Sequence, residues 1–184
     1  MERLDPRARS DMYGRRINRA PDPWRALSVP YLSIMAGSLL PVLLMADLMP
    51  LMPSLGLLLL LAWRLVRPGL LPLWAGAPLG AFDDLISGQP FGSAILLWSL
   101  AMIAIELIEN RFPWRGFWQD WFTAGIIGIA YWFAALLVSG ASLTPEMLVV
   151  AAPQAALAVL LYPIFARMAA GLDRFRLKRA RRID

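Results

Sequence analysis

The chain has 184 residues, of which 59% are hydrophobic and 17% charged, with a formal net charge of +5 and a mean hydropathy of +0.57. Soluble domains run at about 45–50% apolar and about 25% charged, so this composition belongs to a chain embedded in lipid. There is no His and no Cys, which excludes imidazole acid–base chemistry, thiol nucleophiles, disulfides and zinc sites of the usual kind.

Taken in chain order, residues 1–27 form an Arg-rich arm in which Pro6, Pro21 and Pro23 sit among scattered charges, a pattern that predicts little stable structure. Val29–Ala46 reads as a first span. The basic lead-in is long and no A-x-A site follows the apolar run, so this helix is expected to remain as an anchor. A second span runs from Pro50 or Pro53 to Val66 and carries the leucine block Leu57–Leu61. Arg67-Pro68-Gly69 breaks the chain before a third span, Leu70 to about Ile86, and the turn Ser87-Gly88-Gln89-Pro90 leads to a fourth, Phe91 to about Ile108. Glu109 to Asp120 is polar and aromatic and reads as a loop, followed by a fifth span over Trp121–Val138 and a sixth over roughly Met147–Ala166. Six spans of roughly 20 residues use about 120 residues and leave no room for a sizeable soluble domain. Pro41, Pro78, Pro153 and Pro163 fall inside these helices, where neighbours can take up the freed carbonyls. The tail 169–184 is basic, and Leu172, Phe175 and Leu177 offer weak apolar spacing for an extension of the sixth helix.

Orientation follows from the basic residues. Seven lie in 1–27, two are Arg64 and Arg67, two are Arg111 and Arg115, and seven lie in 167–184, which accounts for all 18. With six spans all four segments share one side. Asp47, Asp83, Asp84 and Glu146 lie at or near the other side, which leaves the two faces at +9 and −4. The expectation is an all-α integral membrane protein with six transmembrane helices, both termini in the cytoplasm, and a membrane domain over residues 28–168.

Ionisable residues within spans mark sites worth weighing. Asp83-Asp84 stands at the outer end of the third span, where it either binds a cation, a proton or a partner's Arg, or caps the next helix. Glu106 and Glu109, at i and i+3, share a helix face, and Arg64 enters at the depth of Glu106, so Arg64 and Glu106 form a candidate buried ion pair, with a proton-relay acid as the alternative. Gly76 and Gly80 give a G-x-x-x-G stripe, either for packing within the bundle or for a partner helix. In the run 111–118 the Trp114, Arg115 and Trp118 side chains read as an interfacial belt on anionic lipid rather than a nucleic-acid surface. Arg174 and Arg176 in the tail read as lipid contacts, with an acidic partner as the alternative. No phosphate loop, metal-ligand spacing or nucleophile elbow is present, so no catalytic residue, cofactor or metal is expected.

Between about residues 50 and 110 the sequence resembles the rod shape-determining MreD family. The resemblance lies in Arg67-Pro68 after the leucine-rich helix, then Gly80 and Asp84, with Gly92 about eight residues on, and in the surrounding Gly88 and Pro90. The Arg-rich arm lies outside it. The resemblance implies a non-enzymatic inner-membrane component of the bacterial elongation machinery. Such a protein contacts the bitopic protein MreC and helps couple the MreB filament to the cell-wall synthases. It also implies a fold similar to the six-helix substrate-binding components of energy-coupling-factor vitamin transporters, whose function is the alternative; Asp83, Asp84, Gln89 and Trp74 are then candidates to line an outer pocket. In this chain without native Cys, Ser142→Cys is expected to react with an impermeant maleimide only from outside the cell, and labelling only from the cytoplasm overturns the topology.

Overall fold

The structure, a computed structural model, describes residues 19–21, 23–44, 52–112, 116–140, 144–177 and 179–182. Six α-helices form the bundle: α1 (Pro23–Leu44), α2 (Leu55–Val66), α3 (Gly76–Ser87), α4 (Ser93–Arg111), α5 (Phe117–Val138) and α6 (Pro145–Arg176). A 3₁₀ turn over Leu73–Ala75 precedes α3. Two short strands, β1 (Arg19–Pro21) and β2 (Arg179–Arg182), pair antiparallel and bring the two flanking segments together at one end of the bundle. Within the arm, where little stable structure was expected, residues 19–21 pair with β2 and residues 23–27 form the start of α1.

Four helices, α1, α4, α5 and α6, are long and apolar enough to cross a membrane. This is an all-α membrane protein. The other two depart from the expected spans, since α2 and α3 have 12 residues each. At 1.5 Å per residue such a helix covers about 18 Å, against about 30 Å of hydrocarbon. The reason for α2 lies in its sequence. A helix that is apolar all round belongs inside a bundle, and every residue from Leu55 to Leu65 is buried among α1, α4, α5 and α6. Ser54 caps it by accepting from the Leu57 amide at 3.3 Å. The expected third span is a turn, a 3₁₀ turn and then α3, with Pro78 in the first helical turn, where a missing N–H costs nothing. Other boundaries differ too, and α1 starts at Pro23, six residues before Val29. Glu109, expected in a loop, belongs to α4; α5 starts four residues earlier, at Phe117; and α6 continues to Arg176, the extension for which Leu172 and Phe175 offered the spacing, so that residues 169–176 of the tail are helical.

Two interior prolines have identifiable compensation. Pro30 cannot donate to the Ala26 carbonyl, and Arg176 Nη1 donates to that oxygen at 2.9 Å. Pro163 cannot donate to Val159, and Trp121 Nε1 donates to that carbonyl at 2.9 Å. In both cases a neighbouring helix closes the bond that the proline opened. Trp121→Phe is therefore expected to lower stability by about 1–2 kcal/mol. In Trp121→Phe combined with Pro163→Ala most of that loss should disappear, because Val159 regains an intrahelical donor. Thermal unfolding in detergent of both singles and the double variant measures this, and strict additivity would rule out the pairing.

Candidate functional site

The α3–α4 corner is built on one carboxylate. Asp84, 5% exposed, accepts from the amides of Gly92 (2.9 Å), Ala94 (2.8 Å) and Ile95 (3.2 Å) and from the Ser93 hydroxyl (3.0 Å). These amides belong to the first turn of α4, which has no local cap, so Asp84 acts as the cap from the preceding helix and places negative charge at the positive end of the helix dipole. Gly80, one turn earlier, lets the backbones meet: a Cβ there would lie 2.5 Å from the Ala94 carbonyl oxygen. Gly76 continues the contact against Trp98. Gly92 takes φ +100°, a left-handed conformation that presents its N–H to Asp84. Gly88 ends α3 in the same region, and exposed Pro90 accepts from the Ser93 amide at 3.0 Å. The stripe Gly76, Gly80, Asp84 is thus turned inward onto α4.

At the opposite end lies a charged cluster. Arg64, 2% exposed, bonds Glu106 and reaches Glu109 at 2.9 Å. Arg67 Nε meets Asp173 Oδ2 at 2.8 Å, and Asp173 Oδ1 accepts from Arg176 Nε at 2.8 Å. The Arg176 guanidinium also lies 5.8 Å from the Trp63 ring centre, a cation–π contact. Arg176, read from sequence as a lipid contact, is instead buried in this network, because the continuation of α6 carries it under α1. Trp63 belongs to the core, and its indole N–H donates to Ser33 at 2.8 Å. Trp118 and Arg174 are exposed, while Trp114 and Arg115 lie outside the described residues.

Open space gathers at the α3–α4 corner. A hollow of about 120 Å³ is lined by Ser38, Ser54, Asp83, Ser87, Gln89 and Gln154 among others. It adjoins one of about 180 Å³ that shares Ser54, Gln89 and Gln154 and adds Tyr131 and Trp132. Of the four residues offered from sequence for an outer pocket, Asp83 and Gln89 line this space. Asp84 is occupied as a cap, and Trp74 points outward at 67% exposure. Sequence reading missed Ser38, Tyr131, Trp132 and Gln154. Gln154 was the one with a signal, a lone amide in the apolar sixth span. A second furrow, about 190 Å³ and apolar, lies between α4 and α5 and is lined by Leu97, Leu100, Ala101, Ala104, Ile127, Ala130, Tyr131 and Ala134. No group of three or more potential metal ligands occurs among the described residues. No family model, curated protein or solved structure matches the chain.

The Arg64 cluster makes a graded prediction. Glu106→Gln alone should be mild, since Glu106 is 37% exposed and Arg64 keeps Glu109. Glu106→Gln with Glu109→Gln should lower the detergent Tm sharply by leaving a buried cation unpaired, and adding Arg64→Gln should recover much of the loss. Equal effects of the single and double variants would sink the pairing.

Proposed function

We propose that this chain is a non-enzymatic scaffold of the bacterial cell-elongation machinery in the inner membrane. On this reading it binds an MreC-like bitopic protein and helps couple the MreB filament to peptidoglycan synthesis and rod shape. The choice of partner comes from the resemblance carried by Arg67-Pro68, Gly80, Asp84 and Gly92. The observation that carries a scaffold role is the furrow between α4 and α5. Its walls present Ala101, Ala104, Ala130 and Ala134, and small residues let a foreign helix approach closely enough for dispersion contacts in lipid. The stripe first considered for a partner, Gly76 and Gly80, is occupied by α4, so the partner helix is assigned to the furrow.

Six crossings with both termini cytoplasmic accord with this role. The pairing of β1 with β2, which brings residues 19–21 and 179–182 together, supports this reading. The charge bias makes their side the cytoplasm, with exposed Arg174 available to anionic lipid. The short helix α2 then completes its crossing inside protein, where irregular backbone is tolerated.

A second reading, the substrate-binding component of an energy-coupling-factor vitamin transporter, is favoured by the polar hollow at the α3–α4 corner. Affinity purification from native membranes separates the two. Recovery of an MreC-like protein with cell-wall synthases supports the scaffold, whereas recovery of ABC ATPases with a membrane coupling protein supports vitamin capture. Under the scaffold reading Ala104→Trp or Ala130→Trp should cut co-purified MreC by about tenfold, the scale of one lost packing contact. Leu160→Trp, on the exposed side of α6, should leave it unchanged. Gly80→Leu should instead reduce the yield of folded protein, because its side chain meets the Ala94 backbone.

A further inference from the structure

Asp83 has no assigned work. It is 4% exposed and lines the hollow at the α3–α4 corner. Its neighbour Asp84 has both oxygens committed to α4. Every Lys and Arg of the chain falls in residues 1–25, at 64 and 67, at 111 and 115, or beyond 166. The described ones therefore cluster at the opposite end of the bundle, at the start of α1 and the ends of α2, α4 and α6. A buried carboxylate without a cation is costly, and intramembrane acids normally have a partner.

The walls around it are similarly incomplete. The Ser38 hydroxyl, on a residue 7% exposed, lies beside the Asp83 carboxyl yet closes no hydrogen bond. The Tyr131 hydroxyl faces Trp98, Ser54 and Gln89 without closing one. Ser87 Oγ and Trp132 Nε1 are also buried and unbonded. Gln154 is half committed: its amide donates to the Met52 carbonyl at 2.7 Å, which turns its own carbonyl into an acceptor for something else. Buried polar groups are ordinarily satisfied, and several unbonded ones around one space are donors and acceptors open to a molecule that enters it. One carboxylate, aromatic walls from Tyr131 and Trp132, and a fringe of hydroxyls and amides suit a cationic head with polar edges.

We propose that the two adjoining hollows together bind an organic cation, an ammonium or guanidinium held by the Asp83 carboxylate in one with its remainder against Tyr131 and Trp132 in the other. The cation belongs either to a free small molecule or to a basic side chain of a partner, and the proposal does not depend on which partner occupies the α4–α5 furrow.

The test uses the full-length chain in detergent, titrated with methylammonium, phenethylamine and agmatine while Tm and tryptophan fluorescence are followed. Phenylpropionate serves as the anionic control. At least one cation should raise Tm in a saturable way and phenylpropionate should not. Asp83→Asn should weaken that binding about tenfold or more, the loss of a charge-assisted contact, while its ligand-free Tm is no lower than that of the parent. Should Asp83→Asn fail to fold, Ser38→Ala and Tyr131→Phe carry the same comparison, with weaker binding expected in each. Preference among the three tells whether the hollow takes an ammonium or a guanidinium, and co-purification of a bound amine or of a partner with the parent but not with Asp83→Asn tells a free molecule from a partner's side chain. No response to any of the three cations, or equal binding by Asp83→Asn, overturns the proposal, and neither result touches the co-purification test of the scaffold.

Discussion

Inside lipid a backbone N–H or C=O that leaves its helical ladder has no water to turn to, and this bundle meets that constraint with side chains from other helices. The start of α4 is satisfied by Asp84 from α3. The carbonyl opened by Pro163 is satisfied by Trp121 from α5, and the one opened by Pro30 by Arg176 at the far end of α6. Each of these bonds links two helices. The prolines and helix ends that would weaken an isolated helix therefore become the points at which the helices are registered against one another.

The central helix sets the geometry that makes such long-range partners available. Because α2 is buried on every face, the other helices are arranged around it, and its two ends define two chemically different regions. At its C-terminal end Arg64 and Arg67 collect Glu106, Glu109 and Asp173. The result is an ionic cluster in which the partners come from α4 and α6. At its N-terminal end Ser54 opens onto a space shared with Ser38, Asp83, Gln89 and Gln154. Charge is compensated at one end and left over at the other. That asymmetry separates a structural cluster from a region able to receive a ligand.

The same logic distinguishes the two carboxylates of the Asp83-Asp84 pair. Adjacent residues on a helix diverge by about 100°, so the two side chains cannot serve one site. Asp84 faces α4 and is saturated by amides, while Asp83 faces α1 and the hollow. A carboxylate pair that looks like a unit in sequence is two separate residues, one holding the corner together and one facing open space.

Sequence by itself determined that the chain belongs in a membrane, that it is helical, and that it breaks at Arg67-Pro68-Gly69 and Gly88-Gln89-Pro90, because hydropathy and the Pro and Gly punctuation are local properties. The pairing of Arg64 with Glu106 was legible too, since charges at one depth in an apolar environment have few other partners. What sequence could not decide was which apolar runs face lipid. Leu57–Leu61 is as hydrophobic as any lipid-facing span, yet it is the protein core, and hydropathy does not distinguish leucine packed on leucine from leucine packed on an acyl chain. Nor could it place Arg176, whose burial depends on α6 running on for ten residues past its expected end and passing beneath α1. The adjoining hollows at the α3–α4 corner draw Ser38, Asp83, Tyr131 and Gln154 from four helices. Residues so distant in the chain acquire a common chemistry only when tertiary packing brings them together, and that was decided by the fold alone.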